Sequence, residues 1–259
     1  MYVLFLILLI AFLVVVAILS INDVKKLKDA VITESLRVKL YKGSIVWQWV
    51  PVACILVICA FSLISFKDIG LSGIHLWGPP WFHIIVIIIS IGLLVLFIYQ
   101  ILSFIFSAKV REQAEQKFNS TEPKSNYDAI IFNVMIPRTK TEKTAFLFLA
   151  ASAGVCEEIV WRGFLYFLLL TIFPSWPIGI VIVVGSLIFG AGHFYQGPEG
   201  IIKTSIMGGL LGCLYVATGS LLPGMLLHFV VDYSSAFILS DENRDNEGKK
   251  SEVNETSNS

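Results

Sequence analysis

Long apolar runs alternate with short polar ones along the whole chain. Residues 1–21 form the first run, with no basic leader and no small-residue cleavage site, and read as a retained transmembrane helix. Residues 22–44 interrupt the pattern with Lys25, Lys26, Lys28, Arg37, Lys39 and Lys42, and are expected to form a solvated loop. Apolar runs recur at 45–65, flanked by Trp47 and Trp49 as interfacial anchors, and at 82–107, 144–171, 178–194, 201–218 and 224–239. About 20 apolar residues are needed to cross a bilayer as a helix, so the pattern predicts seven spans.

The intervening pieces are turns and linkers. Residues 66–81 hold a Gly-Pro-Pro turn at Gly78–Pro80, and His75 and His83 in this region read as interfacial. Within the linker 118–143, the apolar piece 129–137 is too short to span and is expected at the interface. Pro174–Pro177, the Gly-Pro-Glu-Gly run ending at Gly200, and Gly219–Pro223 separate the last four spans. The polar tail from Asp241 has no apolar anchor and is expected to be disordered. The expected fold is an all-α polytopic bundle of about seven spans. It divides into spans one to three (1–117), the linker (118–143), a core of spans four to seven (144–239) and the tail (240–259).

Composition supports a membrane protein: 56% of residues are hydrophobic and 15% charged, an apolar excess beyond that of soluble cores. A net charge of zero gives no general attraction to nucleic acid. Cys54, Cys59, Cys156 and Cys213 lie in apolar runs without a CxxC pair, which suggests neither a disulfide framework nor a thiolate metal site. Lysine and arginine concentrate in 22–44 and 108–143, whereas the loops after spans two, four and six hold only Lys67. The positive-inside rule then places the N-terminus outside and the tail in the cytoplasm.

The fourth span carries Glu157, Glu158 and Arg162 within six positions. An ionisable group at bilayer depth is costly, and is normally paired, turned into the bundle and functional. Glu158 and Arg162 are four apart on one helical face and are expected to pair, while Glu157 is rotated by about 100° and must face another element. Span five supplies His193, and span seven supplies His228 and Asp232, again four apart, so that Asp232 can orient or charge-stabilise the imidazole. If these spans adjoin, the six groups converge on one buried polar pocket. Gly208 and Gly212 on span six, and Gly190 and Gly192 beside His193, form small faces that allow close helix approach.

Three motifs carry a family resemblance. Glu157-Glu158-Ile-Val-Trp-Arg162, Phe189-Gly-Ala-Gly-His193 and His228-Phe-Val-Val-Asp232 resemble the EExxxR, FxxxH and HxxxN/D motifs of the CPBP intramembrane proteases. That family includes CAAX prenyl endopeptidases and bacterial members, some linked to bacteriocin immunity. The resemblance covers about residues 135–240, and Asp232 stands where many members have asparagine. It implies a membrane endopeptidase with catalytic Glu157, His193, His228 and Asp232, supported by Glu158, Arg162 and Phe189.

Peptide hydrolysis needs an activated water, a polarised carbonyl and an acid for the leaving amine. Glu157 with His193 is the water-activating pair expected here. His228 with Asp232 faces the oxyanion, and Glu158 with Arg162 braces the site. No cofactor is expected. A metal-assisted rival would use Glu157, His193 and His228 as zinc ligands. The chain lacks the HExxH zinc motif and a GxSG serine nucleophile. The expected partners are membrane lipid and a peptide or membrane-protein substrate, CAAX-type if the host prenylates proteins. A non-catalytic immunity or scaffold protein is the alternative, and a proton-coupled transporter comes third.

Overall fold

Each apolar run folds as a helix. The computed structural model describes residues 1–27, 30–61, 64–74, 79–107 and 134–240. His75, Gly78, most of the linker (118–133) and the tail (241–259) lie outside the described residues. The helices are α1 (Tyr2–Leu27), α2 (Glu34–Ala60), α3 (Pro80–Phe106), α4 (Lys140–Ile172), α5 (Ile178–Gly192), α6 (Gly197–Thr218) and α7 (Leu222–Ser240). No strand occurs among the described residues. By length and composition, α2, α4 and the stretch Phe194–Thr218 are able to cross a membrane. Among the described residues the fold is all-helical, its seven helices roughly match the seven expected spans, and the three long apolar ones suit an integral membrane protein.

Helix ends follow from local chemistry. Thr139 caps α4 in a reciprocal box with Glu142, so that the helix starts at Lys140 and not at Thr144. Thr33 caps α2 by accepting from the Leu36 amide. That cap brings α2 forward into the stretch expected to be a solvated loop. Arg37 is buried there against Glu142, which corrects the solvent-exposed reading of that residue. Pro198 does not break the chain but sits in the first turn of α6, where a missing N–H costs nothing. His83, in the first turn of α3 after Pro80, is buried against the bundle.

Side-chain pairings fix the helix directions. Arg37 bonds Glu142 and the Tyr41 ring meets Phe146, so α2 and α4 run parallel. Tyr2 meets Phe167 and Phe5 meets Phe164, so α1 runs antiparallel to α4. Gly154 lies against the Met225 carbonyl and Phe229, which brings α7 close along α4. Gly190 lies against Ile201 and Ser205 while Gly212 lies against Ile182, making α5 and α6 an antiparallel hairpin. The main core gathers Val52, Ile55, Ile69, Trp161, Phe164, Leu168 and Phe189 around α4.

Two features position the site. First, α5 has 15 residues against 33 for α4, roughly 22 Å against 50 Å at 1.5 Å per residue. The α5–α6 turn therefore meets α4 at mid-length. Second, residues 64–74 fold back onto the start of α7. The Leu221 amide donates to Gly70 O at 3.0 Å and Ser220 Oγ to Ser72 O at 2.8 Å. Gly70 has φ 73°, and a side chain there would strike the Tyr215 ring.

Candidate active site

Glu157 ends the α-helical part of α4, and Glu158–Phe164 continue as a π-helical turn whose seven residues are all buried. Such widened turns recur at functional sites because they re-aim side chains within a continuous helix. Glu158 Oε1 accepts from Arg162 Nη1 at 2.9 Å, and neither side chain is more than 2% exposed. The other carboxylate oxygen faces Gly224, where an added Cβ would stand 3.0 Å away. Only a glycine leaves α7 this close to the carboxylate.

The Phe189 ring is the wall on which the site is built. The Arg162 guanidinium carbon lies 4.1 Å from its centroid, a cation–π contact in a dry setting. The His193 ring lies 4.7 Å away and the His228 ring 6.2 Å. Gly208 of α6 backs this wall, since a Cβ there would stand 3.0 Å from Phe189 Cδ1.

The two imidazoles are held through their Nδ1 atoms. His193 follows the last residue of α5, and its Nδ1 lies 2.9 Å from Phe189 O. A carbonyl oxygen only accepts, so Nδ1 bears the hydrogen and Nε2 is turned into the site. His228 Nδ1 lies 2.9 Å from Glu158 Oε1. Asp232 Oδ2 is 3.6 Å from His228 Nε2, beyond hydrogen-bond length. Glu158, on a neighbouring helix, is thus the closer orienting carboxylate for His228, where the i,i+4 spacing had pointed to Asp232.

Both Nε2 atoms face Glu157. Its Oε2 stands 3.9 Å from His193 Nε2 and 3.9 Å from His228 Nε2. The six ionisable groups therefore form one cluster drawn from α4, α7 and the end of α5. Side-chain exposure rises across it, from 0% at Glu158 and 7% at His228 to 20% at Glu157 and 36% at Asp232. The cluster is closed at the Glu158–Arg162 end and opens past Asp232.

Glu157, His193 and His228 have the donor types of a zinc site, but their spacing is wide for one. Ligands about 2.0–2.2 Å from a tetrahedral zinc lie about 3.3–3.6 Å from each other. No group of three or more His, Cys, Asp or Glu able to hold a metal occurs among the described residues.

The sequence reading missed a second buried ion pair. Arg37 Nη1 donates to Glu142 Oε1 at 2.9 Å, and Glu142 also accepts from the Arg138 and Thr139 amides. Nearby, Tyr41 Oη donates to Val134 O at 2.9 Å. The Thr-x-x-Glu pattern at 139–142 was the available signal. The FxxxH motif had marked Phe189 as a supporting residue, but its role as a shared wall was not legible, because all four of its partners lie on other helices or beyond its own.

Residues 140–234 match the family model described as type II CAAX prenyl endopeptidase Rce1-like. This stretch is similar to the Rce1-like endopeptidases, a likeness consistent with the CPBP family. All six clustered groups fall inside it, whereas α1 to α3 precede it. No curated protein and no solved structure matches the chain. The likeness supports, in general terms, a membrane endopeptidase.

Proposed function

We propose that the Rce1-like domain hydrolyses a peptide bond with water activated by Glu157 and His193, without a metal. The observation that carries this reading is the position of Glu157 Oε2, 3.9 Å from each of two inward-facing imidazole nitrogens. A water molecule at Glu157 gives one proton to the carboxylate and directs the other at His193 Nε2. Its oxygen then attacks the scissile carbonyl carbon, and the carbonyl electron pair moves onto oxygen. His228, held by Glu158, faces that oxyanion together with Asp232, each donating to it when protonated. The proton on Glu157 passes to the amide nitrogen as the C–N bond breaks, leaving a carboxylate product and an amine.

The substrate proposed is a membrane-associated peptide or protein tail. A prenylated CAAX-type tail is the form suggested by the family description, in a host that prenylates proteins. The exposure gradient towards Asp232 supports access from the end where α4 begins. The test is purified full-length protein in detergent with an internally quenched peptide library, plus and minus a chelator. Cleavage that survives chelation and is abolished by Glu157→Gln supports the reading. Chelator-sensitive cleavage would move the mechanism to the metal-assisted rival. Folded protein with no cleavage of any peptide, prenylated or not, would leave the scaffold alternative.

A further inference from the structure

Tyr195 stands beside the cluster in the short 3-10 turn Phe194–Gln196 that follows His193. Its ring centroid is 5.8 Å from that of His193. It is held from behind by a relay that starts on α6. Thr204 Oγ1 donates to Gln196 Oε1 at 3.3 Å, and Gln196 Nε2 donates to Tyr195 Oη at 3.3 Å. Gly200 makes room for this fold of the chain, because a side chain there would overlap Gln196. A phenol has one hydrogen to give, and with its oxygen accepting from Gln196 that hydrogen is directed elsewhere.

The donor inventory of the site shows what that hydrogen is for. His193 commits its Nδ1–H to Phe189 O, and Nδ1 of His228 faces Glu158. Glu157 and Asp232 only accept when ionised. A carbonyl oxygen turning into an oxyanion needs hydrogen-bond donors fixed in advance. His228 Nε2 and Asp232 supply one only in their protonated forms, whereas a phenol supplies one with no change of charge.

We propose that Tyr195 is a further catalytic residue, whose O–H hydrogen-bonds the scissile carbonyl oxygen and holds it more strongly as negative charge develops. The phenol keeps its proton throughout. The contact sharpens in the transition state and relaxes when the carbonyl reforms. Gln196 and Thr204 are positioning residues that aim it. This inference rests on the hydrolytic reading of the same cluster.

The experiment compares Tyr195→Phe with Glu157→Gln in full-length protein on one cleaved peptide. It also measures inhibition by a peptide trifluoromethyl ketone, whose hydrate mimics the tetrahedral intermediate. Loss of one oxyanion donor lowers kcat by about 10²–10³-fold in hydrolases of known mechanism. Tyr195→Phe is expected to fall in that range, with KM within about twofold and a parallel loss of ketone affinity. Unchanged kcat and ketone affinity in Tyr195→Phe, with Glu157→Gln inactive, overturns the role of Tyr195 alone. Full activity in Glu157→Gln overturns the hydrolytic reading beneath it. If Tyr195→Phe does not fold, Gln196→Leu decides, since it leaves the ring and removes only its aim. A fall in kcat and ketone affinity without a rise in KM supports the proposal, and wild-type values refute it.

Discussion

Glu158 Oε1 accepts from Arg162 Nη1 and lies against His228 Nδ1, each at 2.9 Å. One oxygen atom thereby joins the brace within α4 to the orientation of an imidazole on α7. The consequence is that the buried pair and the reactive face of His228 cannot be perturbed separately.

Arg162→Ala should therefore fail first as a folding mutation. It leaves the Glu158 carboxylate buried without its guanidinium, and breaking a buried pair from one side costs about 3–5 kcal/mol. It also removes the cation from the Phe189 face. Lower folded yield and a lower thermal midpoint in detergent are expected, together with lost turnover. A midpoint equal to that of the parent protein would show that the pair carries no such burden.

Glu157→Gln should behave in the opposite way. Its Oε2 makes no hydrogen bond, both imidazole nitrogens stand 3.9 Å from it, and the side chain is 20% exposed. Little native pairing is lost, so the stability should stay within about 1 kcal/mol of the parent and the thermal midpoint close to it. Turnover should vanish, because an amide cannot take the proton of water. Circular dichroism melts and peptide cleavage on the same preparation read out both halves.

The contrast between these two neighbours was partly legible in the sequence. The i,i+4 spacing of Glu158 and Arg162 announced their pair, because helix geometry is local. The partner of His228 was not legible in the same way. Asp232 has the right spacing, yet Glu158 makes the closer contact, because Gly224 lets α7 begin against the carboxylate. Nor does the sequence show that α7 starts inside the bundle, capped by residues 64–74, which brings His228 level with Glu157. Arg37 was misread for the same reason: a cluster of positive charges looks like a solvated loop until the partner, Glu142, is placed by tertiary packing.

That partner leads to a test outside the site. Glu142→Ala removes a buried carboxylate partner of Arg37 and half of the capping box on α4. It should destabilise by about 3–5 kcal/mol, mostly from the pair, with about 1 kcal/mol from the cap. The folded fraction should keep its KM for a given peptide, since Glu142 lies well over three turns from Glu157 along α4. A changed KM would instead place this end of α4 in substrate binding.

Close approach of α5 and α6 gives a graded prediction for two glycines near His193. A Cβ at Gly190 would overlap Ser205 Oγ and stand 2.8 Å from Ile201 O, whereas one at Gly192 meets nothing nearer than Trp161 at 3.6 Å. Gly190→Ala should force the hairpin apart, costing about 1–3 kcal/mol as overpacking does, and should displace His193. Gly192→Ala should be near neutral in melts and in turnover. Equal effects of the two would argue that helix separation does not set the position of His193.

The last prediction concerns which side of the membrane the site faces. The helix directions place the α1–α2 connection, the start of α4 and the α5–α6 turn towards one end of the bundle. Arg37, Lys39, Lys42, Lys140 and Lys143 belong to that end, while the segment after α2 offers Lys67 alone. Positive charge is retained on the cytoplasmic side, so the pocket and the tail after Ser240 should face the cytoplasm and Met1 the outside. A fluorescent protein that matures only in the cytoplasm, fused after Ser259, should glow, and a phosphatase active only outside should be silent there. The reverse pattern would turn the bundle over. It would also confine the proposed hydrolysis to substrates on the outer face, which excludes prenylated cytoplasmic tails.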